Sequence, residues 1–233
     1  PCSEIILRGP RIDVSYDENG VAKNAPITGT GGQFCNLSEV VVRAADGIED
    51  ITRKVRTATI LGTIQSTYTN FPYLRKVWTD NTAEERLLGV SLTGVMDNKL
   101  TSLSNKGLAE TLQHLKQVAI DTNKEWAAKF GIPVSAAISC NKPSGTVSQL
   151  VSCSSGIHAR HSPYYIRTVR GDNKDPLTTF LKDQGIPNEP DVMKPDGTTV
   201  FSFPMQSPEG AVCTADMTAI DQLEMWLVYQ RFW

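Results

Sequence analysis

No run of apolar residues in this 233-residue chain approaches the roughly 18 to 20 needed to span a bilayer as a helix, which excludes a helical membrane protein. An excess of one charge is also lacking. There are 23 Lys and Arg against 25 Asp and Glu, a formal charge of −2, so the surface is not built mainly to hold nucleic acid through its phosphates. Five cysteines are too few, and odd in number, for a secreted disulfide scaffold, and they read as reduced thiols of a cytosolic protein. An initiator Met and a signal-like apolar segment are both missing: the chain opens Pro1-Cys2-Ser3-Glu4 and closes on Phe232-Trp233 within an amphipathic pattern. The expectation is a fragment of a larger protein, truncated at both ends. What is present is globular in proportion, 40% apolar and 21% charged, and long enough to bury a core.

Strands and helices alternate in the pattern. Residues 4–8 read as a short strand, 9–33 as a loop or hairpin with a turn at Asp17-Glu18-Asn19-Gly20, and 35–43 as a strand rich in Val. Residues 46–67 read as a helix burying Ile48, Ile51, Val55, Ala58, Leu61 and Ile64. Thr82-Ala83-Glu84-Glu85 fits a capping box that opens a short helix or turn, and 87–95 a buried strand. The clearest helix runs over 107–130, with Gly131 past its end and Pro133 preventing continuation. Strands follow at 134–140 and 164–169, and a short helix at 176–184. A Pro-rich loop covers 186–210 around a strand at 200–203, and the last helix, 218–233, turns Ile220, Leu223, Trp226 and Leu227 inward. The class is α/β with crossover helices, in one domain.

Several groups carry chemistry. Cys2 and Glu4 are two apart, so an extended backbone projects both to one face, about 7 Å apart along the strand. A thiol and a carboxylate so placed suit a nucleophile or hydrogen donor beside a general base. Cys35 reads either as a small buried apolar residue or as half of a dithiol pair. Lys142-Pro143-Ser144-Gly145-Thr146-Val147-Ser148 follows a strand and offers hydroxyls and open N–H groups; it reads either as an anion-holding turn or as an ordinary helix cap, and lacks the spacing of a Walker loop. His158 and His161 lack a Cys pair at zinc spacing, so no metal site is assigned. Arg160, Arg167 and Arg170 read as phosphate or core-carboxylate partners, and Cys140, Cys153 and Cys213 as structural thiols.

Taken together, residues 1–4, 35–40, 62–71, 87–94, 142–148 and 155–167, in this order, resemble the catalytic subunit of ribonucleotide reductases of the adenosylcobalamin-dependent class II kind. One departure is Ser3, where Gly is usual. The resemblance implies a ten-stranded α/β barrel with a central finger loop, residues 1–233 being the C-terminal part of that catalytic barrel. It implies a role for Cys2 as the thiyl radical that takes the 3′ hydrogen of a ribonucleotide, for Glu4 as the base on the 3′-hydroxyl, and for Cys35 as one of two reducing cysteines. Pro143, Ser144, Gly145 and Thr146 then match the turn that holds the substrate's phosphates. The cofactor implied is adenosylcobalamin, whose cobalt–carbon homolysis generates the radical. The implied partners are a ribonucleoside di- or triphosphate and thioredoxin or a similar dithiol, in the cytoplasm. The alternatives are a class I large subunit, a non-catalytic nucleotide-binding module and a two-electron thiol oxidoreductase.

Overall fold

A computed structural model describes residues 15–19, 22–23, 32–142 and 144–233. Cys2, Glu4 and Pro143, the expected strand at 4–8 and most of the expected loop at 9–33 lie outside the described residues. Strands β1 (Ser15–Tyr16) and β2 (Ala22–Lys23) pair antiparallel. The Asn19 N–H donates to Asp17 Oδ1 at 2.9 Å in the turn between them, as a turn-forming Asp does.

The site is positioned by a parallel unit. Strand β3 (Asn36–Val41), helices α1 (Ile48–Gln65) and α2 (Lys76–Glu85), and strand β4 (Leu88–Thr93) follow in order. β3 and β4 pair parallel from Asn36 opposite Leu88 to Val41 opposite Thr93. After helix α3 (Leu108–Phe130), the chain returns along the other edge of β4. The Val90 N–H donates to the Ile138 carbonyl at 2.8 Å, and the Cys140 N–H donates to the Val90 carbonyl at 3.0 Å. Three parallel lines of backbone result, with β4 in the middle. Helices α1 and α3 cover one face, where Val40, Val90 and Leu92 pack against Ile51, Val55, Leu112 and Leu115 in one buried cluster. Alternation along the strands therefore sends Cys35, Leu37 and Glu39, with Gly89, Ser91 and Thr93, to the opposite face.

The turn after the third line leads into the short helix α4 (Thr146–Leu150). Strand β5 (Tyr164–Asp172), helix α5 (Pro176–Asp183) and strands β6 (Asn188–Pro190) and β7 (Thr198–Gln206) then form an antiparallel sheet in the order β5-β7-β6. Helix α6 (Ala219–Phe232) closes the chain.

Four expectations need correction. In α1 the buried face carries Thr59, Gly62 and Thr63, whereas Ile48, Leu61 and Ile64 are exposed. Thr59 and Thr63 are buried because each hydroxyl donates to the carbonyl four residues back, at 2.8 Å, which removes the cost of an unpaired polar group. Thr82 does not open a helix: it lies buried in the last turn of α2, which ends where Arg86 takes a left-handed conformation with φ 48°. Residues 186–210 hold two paired strands, β6 and the nine-residue β7, in place of a loop around one short strand. In α6 the buried residues are Met225 and Tyr229, while Ile220, Leu223, Trp226 and Leu227 face outward. Polar tips decided that orientation. The Tyr229 hydroxyl donates to the Thr101 carbonyl at 2.8 Å, and Trp233 Nε1 donates to the Cys140 carbonyl at 3.1 Å, so both aromatics dock with their polar atoms satisfied.

Candidate functional site

The face of β3 and β4 away from the helices carries most of the chemistry. Cys35 stands just before β3 begins, half-buried, with a free thiol. Burial pushes that thiol from 9.0 up to about 11, because the charged thiolate is the form that loses hydration. At neutral pH it is a protonated S–H, suited to giving a hydrogen rather than to attacking as an anion.

Gly89 opens the space beside it. A Cβ added there would fall well inside contact distance of Leu37 Cδ2, 2.8 Å from Cys35 Sγ and 3.2 Å from Cys140 Sγ. The two sulfurs therefore approach one another over the missing side chain, no farther apart than the sum of those two distances. They do not form a disulfide. Their strands flank β4, about two strand spacings or roughly 9.6 Å apart, beyond the roughly 7 Å that two bridged Cα atoms tolerate. The Cys35 thiol thus has a thiol neighbour in Cys140, but not a bonded partner.

Farther along β3, Glu39 meets the turn. Ser144 is buried, and its hydroxyl donates to Glu39 Oε2 at 2.9 Å. The Ser144 carbonyl accepts from the Ser148 and Ser155 hydroxyls, both at 2.6 Å, and the Lys142 N–H donates to Ser91 Oγ at 3.2 Å. The turn is therefore fastened to both strands. Gly145 and Thr146 beyond it are exposed, and no side chain caps α4.

A buried ion pair fixes the segment that follows. Arg160 Nε and Nη2 donate to the two oxygens of Asp97, each at 2.8 Å, and Asp97 Oδ2 also accepts the Ser154 N–H at 2.9 Å. Thr93 Oγ1 donates to the Ser154 carbonyl at 3.1 Å and accepts the Gly156 N–H at 2.9 Å. Arg160 is thus a core-carboxylate partner and not a phosphate ligand, whereas Arg170, itself largely exposed, pairs with Asp191 at 2.6 Å. Among the described residues no three His, Cys, Asp or Glu side chains gather as a metal site, and no helix is long and apolar enough to cross a membrane.

Of the residues singled out in the sequence, the structure brings Ser144 onto the same sheet face as Cys35, with Gly145 and Thr146 next in the chain. Glu39, Gly89 and the nearness of Cys140 were missed. A glycine inside a buried strand is the signal of close approach that points to Gly89, and Glu39 lies at the same-face spacing of four residues from Cys35. A cavity of about 540 Å³ lies between α3, residues 135–141 and the end of α6. It presents neither histidine nor carboxylate among its lining residues. That lining therefore offers no imidazole or carboxylate that could ligate cobalt.

No family model matches the chain. It is similar to the adenosylcobalamin-dependent ribonucleoside-triphosphate reductase of Euglena gracilis, 26% identical over 205 residues that cover 86% of this chain and 27% of the relative. It is likewise similar to the protein of the same name from Levilactobacillus brevis, 26% identical over 259 residues that cover 98% of this chain and 34% of the relative. The chain spans about a third or less of the length of these relatives. Among solved structures, a B12-dependent class II ribonucleotide reductase superposes with a TM-score of 0.73 at 21% identity, covering 88% of this chain and 32% of that one. In sequence, then, the chain is similar to one segment of the adenosylcobalamin-dependent ribonucleoside-triphosphate reductases, and over nearly all its described length it has the fold of the corresponding segment of a class II ribonucleotide reductase.

Proposed function

We propose that the chain is the C-terminal part of the catalytic barrel of an adenosylcobalamin-dependent ribonucleotide reductase, converting ribonucleotides to 2′-deoxyribonucleotides in the cytoplasm. The single observation that carries this reading is the arrangement on one sheet face of a protonated Cys35 thiol and, along the same strand, a turn fastened through Ser144 and Glu39. The parallel strands of this chain are then part of a ten-stranded barrel whose other strands belong to the longer protein.

In this reading the exposed Gly145–Thr146 end of the turn, with Pro143 and Ser144, takes the substrate's phosphates. Cys2, as a thiyl radical, removes the 3′ hydrogen, and Glu4 accepts the 3′-hydroxyl proton as the 2′-hydroxyl leaves as water. Cys35 and a second cysteine outside the chain supply two electrons and end as a disulfide, which thioredoxin or a similar dithiol reduces. The high pKa of Cys35 supports its part, since the thiol must enter the cycle carrying its hydrogen. It speaks against a two-electron thiol oxidoreductase, which needs a depressed pKa. The test is Cys2→Ser in the full-length protein, assayed by chromatography of deoxyribonucleotide product. Loss of all product with nucleotide binding intact supports the proposal. Unchanged function in the variant would mean a nucleotide-binding module that uses Cys2 only for packing.

A further inference from the structure

Resting on the reading of residues 143–146 as a phosphate-holding turn, we propose that Ser148 and Ser155 are positioning residues that lock one peptide of that turn with its N–H facing the ligand. The peptide is the one between Ser144 and Gly145. Its carbonyl points inward, where the hydroxyls of Ser148, itself buried, and Ser155 both donate to it at 2.6 Å. In a planar trans peptide the N–H points the opposite way, so the Gly145 N–H is aimed outward. Gly145 is exposed there, and a Cβ placed on it would meet nothing within 4 Å. On that open side a phosphoryl oxygen finds a donor. The buried Ser144 hydroxyl, given to Glu39, takes no part in this; Ser144 serves the turn through its peptide.

The glycine makes a lock necessary. Gly145 has φ −65°, but glycine accepts positive φ about as readily, so the 144–145 peptide is free to turn over, as between type I and type II turns. Turned over, the Ser144 carbonyl faces the ligand with lone pairs, which repel phosphoryl oxygens. The two hydroxyls oppose that. Ser148 reaches back from the first turn of α4 and shares its one hydrogen with the Gly145 carbonyl at 2.9 Å. Ser155 donates from a separate segment, which does not follow the peptide because the end of β4 and the residues after it hold that segment in place. The Ser154 N–H donates to Asp97 Oδ2 at 2.9 Å, and the Ser154 carbonyl accepts from the Gly94 N–H at 2.9 Å and from Thr93 Oγ1 at 3.1 Å.

The test is steady-state reduction of a ribonucleoside triphosphate by the full-length protein with adenosylcobalamin and a dithiol, beside calorimetric titration of the same nucleotide and its nucleoside. Replacing both serines, Ser148→Ala with Ser155→Ala, leaves the inward carbonyl buried without a hydroxyl and favours the turned-over peptide. The double variant raises KM about three- to tenfold, the worth of roughly one hydrogen bond, and leaves kcat unchanged. Ser148→Ala with Ser155→Thr keeps one hydroxyl and recovers most of the loss, which a packing defect would not. A double-variant KM within about twofold of wild type, a fall in kcat at constant KM, or no recovery with threonine overturns the proposal. Hydrogen exchange at the Gly145 amide of the wild type, resolved by fragmentation mass spectrometry, needs no variant to fold. Fast exchange that slows on nucleotide binding supports the proposal, and an amide protected in the free protein and unchanged by nucleotide overturns it. A wild type that binds the nucleoside as tightly as its triphosphate would instead remove the phosphate-turn reading beneath it.

Discussion

The perturbation that probes the site most simply is pH. Burial holds the Cys35 thiol at about 11 against an ordinary 9.0, and each unit is a factor of ten in thiolate population. Alkylation requires the thiolate, so at pH 8 Cys35 reacts with iodoacetamide about a hundredfold more slowly than the same cysteine in unfolded chain. Limited access also slows a half-buried group, so the diagnostic is the slope: the rate constant for Cys35 climbs about tenfold per pH unit through pH 9 and bends only near 11. Peptide-resolved mass spectrometry after timed labelling separates Cys35 from Cys140, Cys153 and Cys213. The linkage has a definite sign. Because the folded thiol holds its proton more tightly than the unfolded one, this group's contribution to stability is intact below about pH 9 and declines between 9 and 11. A rate that levels off at or below pH 9, or labelling at the unfolded rate at pH 8, would refute the reasoning and reopen a nucleophilic role for Cys35.

Two further outcomes follow from packing. Gly89→Ala places a methyl against Leu37 and between the Cys35 and Cys140 sulfurs, in a strand buried on both faces; it should destabilise the fold by about 1–3 kcal/mol, read as a lower urea midpoint at unchanged slope, and an unchanged midpoint would show that the gap is not tight. Arg160→Ala leaves Asp97 buried without its bidentate partner and should cost about 3–5 kcal/mol; a loss below about 1 kcal/mol by the same measurement would mean that the pair is not desolvated as the structure has it.

The parallel core was legible in the sequence wherever local pattern and tertiary packing agree. The strand at 36–41, the strand at 88–93 and the helix ending at Gly131, whose φ of 65° suits glycine, all lie where periodicity and punctuation put them. The errors arose where side-chain hydrogen bonds override hydrophobicity. Thr59 and Thr63 bury themselves by bonding back to their own helix, and Tyr229 and Trp233 turn α6 by finding carbonyl partners, so a count of apolar residues finds Ile51, Val55 and Ala58 but misses the rest of the buried face of α1, and selects the wrong face in α6. Thr82-Ala83-Glu84-Glu85 has the composition of a helix start, but Thr82 lies where a helix ends, because the residues before it already form the helix. At the site, the turn around Ser144 could be read from its small residues. The Glu39 contact could not, since it joins residues 105 apart in the chain, and a pairing at that separation leaves no trace in local pattern.

The central claim is that this sequence carries the radical thiol of a ribonucleotide reductase. Electron paramagnetic resonance of the full-length protein, freeze-quenched with adenosylcobalamin and a ribonucleoside triphosphate, addresses it most directly. The account predicts a cobalt(II) signal coupled to a thiyl radical in the wild type and its disappearance in Cys2→Ser. An absent signal in the wild type with no deoxyribonucleotide formed, or a signal that survives in Cys2→Ser, would contradict it.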